Sequence, residues 1–224
     1  MAPGDRTPDR PAPAGRAVAE HLTPVPHQVS RGRRAGRFGH PGAVLWFTGL
    51  SGAGKSTLAM ALEDHLFRAG YAAYVLDGDN VRTGLNADLG FSPAARAENI
   101  RRVGEVAALF ADAGLICITA FISPYVADRA RARAAAGSAF HEIYLDADLA
   151  TCERRDPKGL YRKARRGEIP DFTAISAPYE RPPAPELVVG TGSLSIEHSV
   201  HAIFDYVKRH IRLTGAPVQQ PPEP

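Results

Sequence analysis

The residues best able to do chemistry form one short run, Gly49-Leu50-Ser51-Gly52-Ala53-Gly54-Lys55-Ser56, followed by Thr57. It fits G-x-x-x-x-G-K-[ST], the loop that wraps a nucleoside triphosphate. Its glycines let the backbone turn N–H groups inward around phosphate oxygens. A helix opening at Gly54 adds the positive potential of its N-terminus. Lys55 is placed to reach the β- and γ-phosphates, and the Ser56 hydroxyl to help hold Mg²⁺. A glycine-rich turn can join any strand to a helix. Here an apolar run precedes the loop (residues 43–48, AVLWFT) and a helical pattern follows it, as the motif requires. The motif specifies a triphosphate and leaves the reaction open.

Other acids narrow the class. The third apolar run (115–121, LICITAF) carries no acid of the motor-ATPase kind, and no Asn-Lys-x-Asp guanine signature occurs. The acids follow the second apolar run instead, in Asp77-Gly78-Asp79-Asn80-Val81-Arg82. Ligands sit at the carboxyl ends of parallel strands. Asp77 and Asp79 can therefore organise Mg²⁺-bound water and orient an acceptor hydroxyl, and Arg82 can take an anionic group. An Asp-Gly pair is equally a common turn.

On the long helical pattern after Ser92-Pro93, Ile100, Val103, Ala107 and Phe110 share an apolar face. Arg96 and Asn99 continue that face toward the N-terminus. Inward polar groups need partners, supplied by a charged ligand or by neighbouring loops. Phe91 and Phe172 are loop aromatics, able to stack on a planar ring or to pack locally. The basic run 154–166 reads as a flap closing on a transferring phosphate, or as a solvated charged surface.

The elements that must position these groups alternate strand and helix. Strands are expected at 43–48, 72–77, 115–121, 140–146 and 186–189. Helices are expected at about 54–68, 92–113, up to 136, from Asp148, and 195–213. That alternation means a doubly wound α/β fold: a parallel sheet with helices on both faces. Residues 157–185, rich in basic residues, Gly and Pro, show no period and form the lid.

Residues 1–42 hold seven Arg against Asp5, Asp9 and Glu20, a net of +4, and seven Pro. Such a front cannot bury enough apolar surface to order itself, so most of it is expected to be disordered, with 25–40 lying on the domain surface. The Pro-rich tail 214–224 is expected to be disordered as well. The domain, 43–213, is nearly neutral, which argues against a nucleic-acid face. The apolar runs are too short to span a bilayer and no secretory signal is visible. With only Cys117 and Cys152, a disulfide framework is excluded and a cytoplasmic location is expected.

Together the strings Phe47-Thr-Gly-Leu-Ser-Gly-Ala-Gly-Lys-Ser-Thr57, Asp77-Gly-Asp-Asn-Val-Arg82, Leu89-Gly-Phe-Ser92, Glu98-Asn-Ile-Arg-Arg102, Ala120-Phe-Ile-Ser-Pro124 and Asp156-Pro-Lys-Gly-Leu-Tyr161 resemble the adenylylsulfate kinase family. The likeness runs over about 42–212. It implies transfer of the γ-phosphate of ATP to the 3′-hydroxyl of adenosine 5′-phosphosulfate (adenylylsulfate), in sulfate assimilation, with Mg²⁺. It gives Gly49 to Thr57 the ATP phosphates and places Arg155 near the ATP base. Asp79, Asn80, Arg82, Arg96, Asn99, Ile122 and Ser123 would contact adenylylsulfate, Phe91 and Phe172 would sandwich its adenine, and Lys158 would sit in the lid near both substrates. The family describes the serine at Ser123 as a phosphoserine intermediate; direct in-line transfer needs no relay, and a pocket contact or a simple cap fits a serine there. A homodimer and an ATP sulfurylase partner are further implications.

The chain departs from the family in the lid, where Phe-Thr-Gly-Ile-Asp becomes Phe172-Thr-Ala174-Ile-Ser176. Alanine resists positive φ, and Ser176 removes a carboxylate. Two other functions stay open: a kinase of the same fold with another small acceptor, and a weakly catalytic nucleotide-binding partner of a sulfurylase.

Overall fold

The computed structural model describes residues 23 and 25–213. Five strands, β1 (Ala43–Thr48), β2 (Ala73–Asp77), β3 (Ile116–Ala120), β4 (Phe140–Leu145) and β5 (Leu187–Val189), form one parallel sheet in the order β2-β3-β1-β4-β5. Every residue of β1 is buried. That is the consequence of a central strand covered on both faces, and it explains an apolar run without alternation.

Leu45 and Phe47 face one core layer, with Leu58, Leu62 and Leu66 of α2 (Lys55–Arg68) and Ile203 of α8 (Ile196–His210). Val44 and Trp46 face the other, with Val103 and Ala107 of α4 (Pro93–Asp112) and Ala132 of α5 (Val126–Ala136). A Cβ on Gly104 would stand 2.9 Å from that of Ala132, so glycine there permits the close approach of α4 and α5. Ser92 caps α4 by accepting from the Ala95 N–H, and Pro93 fills its first turn.

All five strands, and α2, α4 and α5, fall within one or two residues of the positions their periodicity implies. Three short helices do not announce themselves: α1 (Arg31–Phe38), α3 (Gly78–Arg82) and α7 (Leu160–Arg165). α6 (Leu149–Arg155) starts where Asp148 caps it, accepting from the Thr151 N–H. β1 ends at the glycine-rich loop, between the acid-bearing end of β2 and the ends of β4 and β5.

α1 lies within the stretch 25–40 that is expected on the domain surface. Residues 31–42 belong to the ordered structure: Arg31 pairs with Asp112 at 2.6 Å, and the Phe38 ring lies over Gly114. His40 is fully buried; its Nδ1–H donates to the Pro41 carbonyl and its Nε2 accepts from the Ala72 N–H at 2.9 Å. Of the front 1–42 expected to be largely disordered, residues 1–22 and 24 lie outside the described residues, as does the tail 214–224.

His40 is bonded as a neutral ring, and burial lowers its pKa below the ordinary 6.5. The unfolded chain therefore binds the extra proton first. Its contribution is complete above pH 6.5 and is lost as pH falls toward the lowered folded value. Burial lowers the pKa of His141 also, in the same sense. Urea midpoints are thus expected to fall between pH 7.5 and 5.5, and to fall less in His40→Gln. Equal pH slopes for the two proteins would remove His40 from the account.

Candidate active site

Gly49, Gly52 and Gly54 all have positive φ, at 152°, 77° and 94°. A Cβ on Gly52 would press to 2.9 Å from the Cys152 carbonyl oxygen, so this position needs glycine for space as well as for conformation. Ala53 is buried; Leu50 and Ser51 are partly buried. The Ser51 carbonyl accepts from the Tyr161 hydroxyl at 2.9 Å, which bolts α7 to the loop. Lys55 is buried and donates through Nζ to the carbonyls of Gly49 (2.9 Å) and Leu50 (2.7 Å). Burial pushes its pKa down to about 8. Ser56 and Thr57 are exposed at the helix start.

The Ser56 hydroxyl donates to Asp77 Oδ2 at 2.6 Å. The other oxygen of Asp77 accepts from the Asp79 N–H at 3.0 Å and caps α3. The capped turn presents Asp79 and Asn80 outward, both exposed. Asp79 forms an ion pair with Lys158, from the loop between α6 and α7. The lid and the β2 turn therefore meet across the site.

The groups from α3 and α4 gather around loop 83–92. Arg82 donates to the carbonyls of Leu89 (3.0 Å) and Gly90 (3.2 Å), and its guanidinium lies 4.4 Å from the centre of the Phe91 ring. Arg96 donates to the Phe91 carbonyl at 2.7 Å and to Thr173 of the lid at 3.3 Å. Burial, and next the charge of Arg96, lower the Arg82 pKa. Two cations this close favour an anion beside them. Asn99 is buried and accepts from Asn86 Nδ2 at 3.0 Å. The partners of Arg96 and Asn99 in the structure are thus loop and lid groups. Asn86 could not be singled out from sequence, because only the fold brings a loop amide to that helix.

The aromatics differ in setting. Phe91 is 67% exposed, whereas Phe172 is buried with its ring centre 5.1 Å from that of Tyr161. Arg155 donates to the carbonyls of Gly52 (3.3 Å) and Thr191 (2.7 Å), which places it beside the phosphate loop. Much of the basic run pairs with nearby acids: Arg162 with Asp156, Arg165 with Glu153, Arg166 with Glu168.

After β3, Ile122 offers its carbonyl to the Thr48 hydroxyl at 2.7 Å. Ser123 is buried: its Oγ accepts from Trp46 Nε1 at 3.1 Å and donates to Thr48 Oγ1 at 3.0 Å. Trp46 and Thr48, at the end of β1, and Tyr179, in the aperiodic stretch before β5, with its hydroxyl 3.0 Å from that of Thr48, escaped sequence reasoning because neither a buried strand run nor an aperiodic loop marks which side chains meet around Ser123.

In the lid, Ala174 has φ 69°, the conformation for which glycine is suited. Ser176 Oγ accepts from the Phe172 N–H at 2.9 Å, so a hydroxyl closes the turn. Ala174→Gly should relieve strain of about 1–2 kcal/mol, against about 0.4–1 kcal/mol of added freedom in the unfolded chain. A small gain in thermal stability is the expected result; a loss would show that Ala174 is unstrained.

A family described as adenylylsulphate kinase matches residues 41–190. The adenylyl-sulfate kinase of Geotalea uraniireducens is 62% identical over 174 residues, 77% of this chain and 84% of that protein. That of Clostridium acetobutylicum is 55% identical over 183 residues, 82% and 92%. Among solved structures, the Mycobacterium tuberculosis APS kinase in complex with AMPPNP and APS superposes with a TM-score of 0.72 at 51% identity, covering 75% of this chain and 98% of that one. With its phosphate loop, β2-end acids and lid in one parallel-sheet frame, the chain belongs to the adenylylsulfate kinase family.

Proposed function

We infer that the protein transfers the γ-phosphoryl group of ATP to the 3′-hydroxyl of adenylylsulfate, giving 3′-phosphoadenylylsulfate and ADP. The observation that carries this is one convergence at the carboxyl edge of the sheet. Lys55, Ser56 and Asp77 stand on the nucleotide side, Arg82 and Arg96 on the other, and the Asp79–Lys158 pair lies between.

The loop N–H groups and Lys55 hold the phosphates. Arg82, Arg96, Asn80, Asn99, Ile122 and Ser123 are assigned to the acceptor, with Phe91 and Phe172 flanking its base. In this role Phe172 must turn a ring edge outward from its contact with Tyr161. Asp79 orients the hydroxyl and accepts its proton as the O–P bond to the γ-phosphorus forms and ADP leaves. Lys158 exchanges Asp79 for the transferring phosphoryl and neutralises charge there. Arg155 flanks the ATP base.

Mg²⁺ fits the hard oxygen donors Ser56 Oγ and Asp77, 2.6 Å apart, with Asp77 acting through water. Bound there, such an ion would offset the negative charge of the phosphates. Ser123 is assigned a holding role, because its hydroxyl is buried between two partners.

The lid substitutions leave the turn closed, so they give no support to a weakly catalytic protein. A homodimer, a sulfurylase partner and a cytoplasmic location remain part of the proposal. Among the described residues no helix is long and apolar enough to cross a membrane, and both cysteines are unpaired. The test is coupled ADP release with adenylylsulfate, with AMP, with a sugar acid and without acceptor. Release stimulated by adenylylsulfate alone is expected; equal stimulation by a sugar acid would overturn the assignment.

A further inference from the structure

Arg129 of α5 is 2% exposed and takes no part in the chemistry above. A buried cation is costly unless every donor finds an acceptor. Here Nε donates to Glu142 Oε1 at 2.6 Å, one terminal nitrogen to the Ser123 carbonyl at 2.7 Å, and the other to the Glu180 carbonyl at 2.8 Å. One planar fork thus joins β4, the turn after β3 and the chain returning from the lid.

A second set of bonds ties the same turn to the same returning chain. The Glu180 N–H donates to the Pro124 carbonyl at 2.8 Å. The Glu180 carboxylate accepts from the Val126 N–H at 2.7 Å, capping α5, whose own cap residue Tyr125 supplies no side-chain bond. Tyr179 reaches Thr48, which in turn holds Ile122. The turn needs this support: Ser123 has φ 41°, a conformation that a non-glycine residue keeps only when its surroundings impose it.

We propose that Arg129 is a positioning residue for the acceptor. It holds the turn at residues 122–123 in the geometry that receives adenylylsulfate, and through Glu180 it locks that turn to the lid's return. This rests on the acceptor-side assignment of Ile122 and Ser123.

The test compares Arg129→Lys and Glu180→Ala with the wild type, each checked for fold by circular dichroism and melting. Lysine keeps a cation beside Glu142 but cannot span both carbonyls. The KM for adenylylsulfate is expected to rise about tenfold or more in Arg129→Lys, the effect of losing a charge-assisted hydrogen bond. In Glu180→Ala it is expected to rise about threefold, the modest effect of losing an exposed helix cap. The KM for ATP should stay within about twofold in both. Joint movement of both KM values, or movement of neither, overturns the proposal. Should Arg129→Lys fail to fold, Arg129→Met decides by the same split of KM values, since Arg133 stays 3.5 Å from Glu142 and shares its charge. A wild type inactive toward adenylylsulfate overturns the functional assignment and this inference with it; an active wild type without the split overturns only the inference.

Discussion

Lys55→Ala lowers turnover by about two orders of magnitude or more, with little change in melting temperature. The ammonium reaches the phosphate loop from the first turn of α2 and is fixed on the carbonyls of Gly49 and Leu50. A preorganised cation in a dry loop acts on charge that develops in the transition state, where no solvent replaces it. Stability changes little because the buried ammonium is itself expensive, as its lowered pKa of about 8 records. The same fact has a pH signature. In the free enzyme the amine loses its proton above about pH 8, whereas a bound triphosphate demands the charged form. Nucleotide affinity should therefore fall as pH rises past 8, and Lys55→Ala should flatten that fall. Near-normal turnover in the variant would deny Lys55 its role.

Arg96→Ala raises the KM for adenylylsulfate about ten- to hundredfold, as expected for a lost charge-assisted contact, and leaves the KM for ATP within about threefold. Arg96 spans the Phe91 carbonyl and Thr173, and so stands between the acceptor loop and the lid. Its neighbour Arg82 remains, so acceptor binding weakens without vanishing. Steady-state kinetics with each substrate varied in turn separates the cases; equal changes in both KM values would make Arg96 a brace between loop and lid.

What could be read without coordinates was whatever the chain encodes locally. The run AVLWFT, the Ser92-Pro93 start of α4 and the phosphate loop each carry their own signal within a few residues. Alanine at 174 resists positive φ, yet the lid turn holds it at 69°, so the substitution by itself did not reveal the turn's geometry. What escaped depends on distant partners. α1 is polar and glycine-containing, and it is fixed by Asp112 and Gly114, far along the chain. α3 is five residues long and exists because Asp77 caps it. The strand order places β3 between β1 and β2, which no local pattern states. Within the site, the residue types of Arg96 and Asn99 were legible, but their partners Thr173 and Asn86 were not, and the burial of Phe172 against Tyr161 appears only when the lid is folded.

The most direct measurement identifies the product made from Mg²⁺-ATP and adenylylsulfate by ³¹P NMR and mass spectrometry. A new phosphomonoester on the ribose 3′-oxygen, with the sulfate anhydride intact and one ADP formed per product, is the predicted result. ATP consumed without that ester, or an ester formed at any other position, would contradict the assignment of this site.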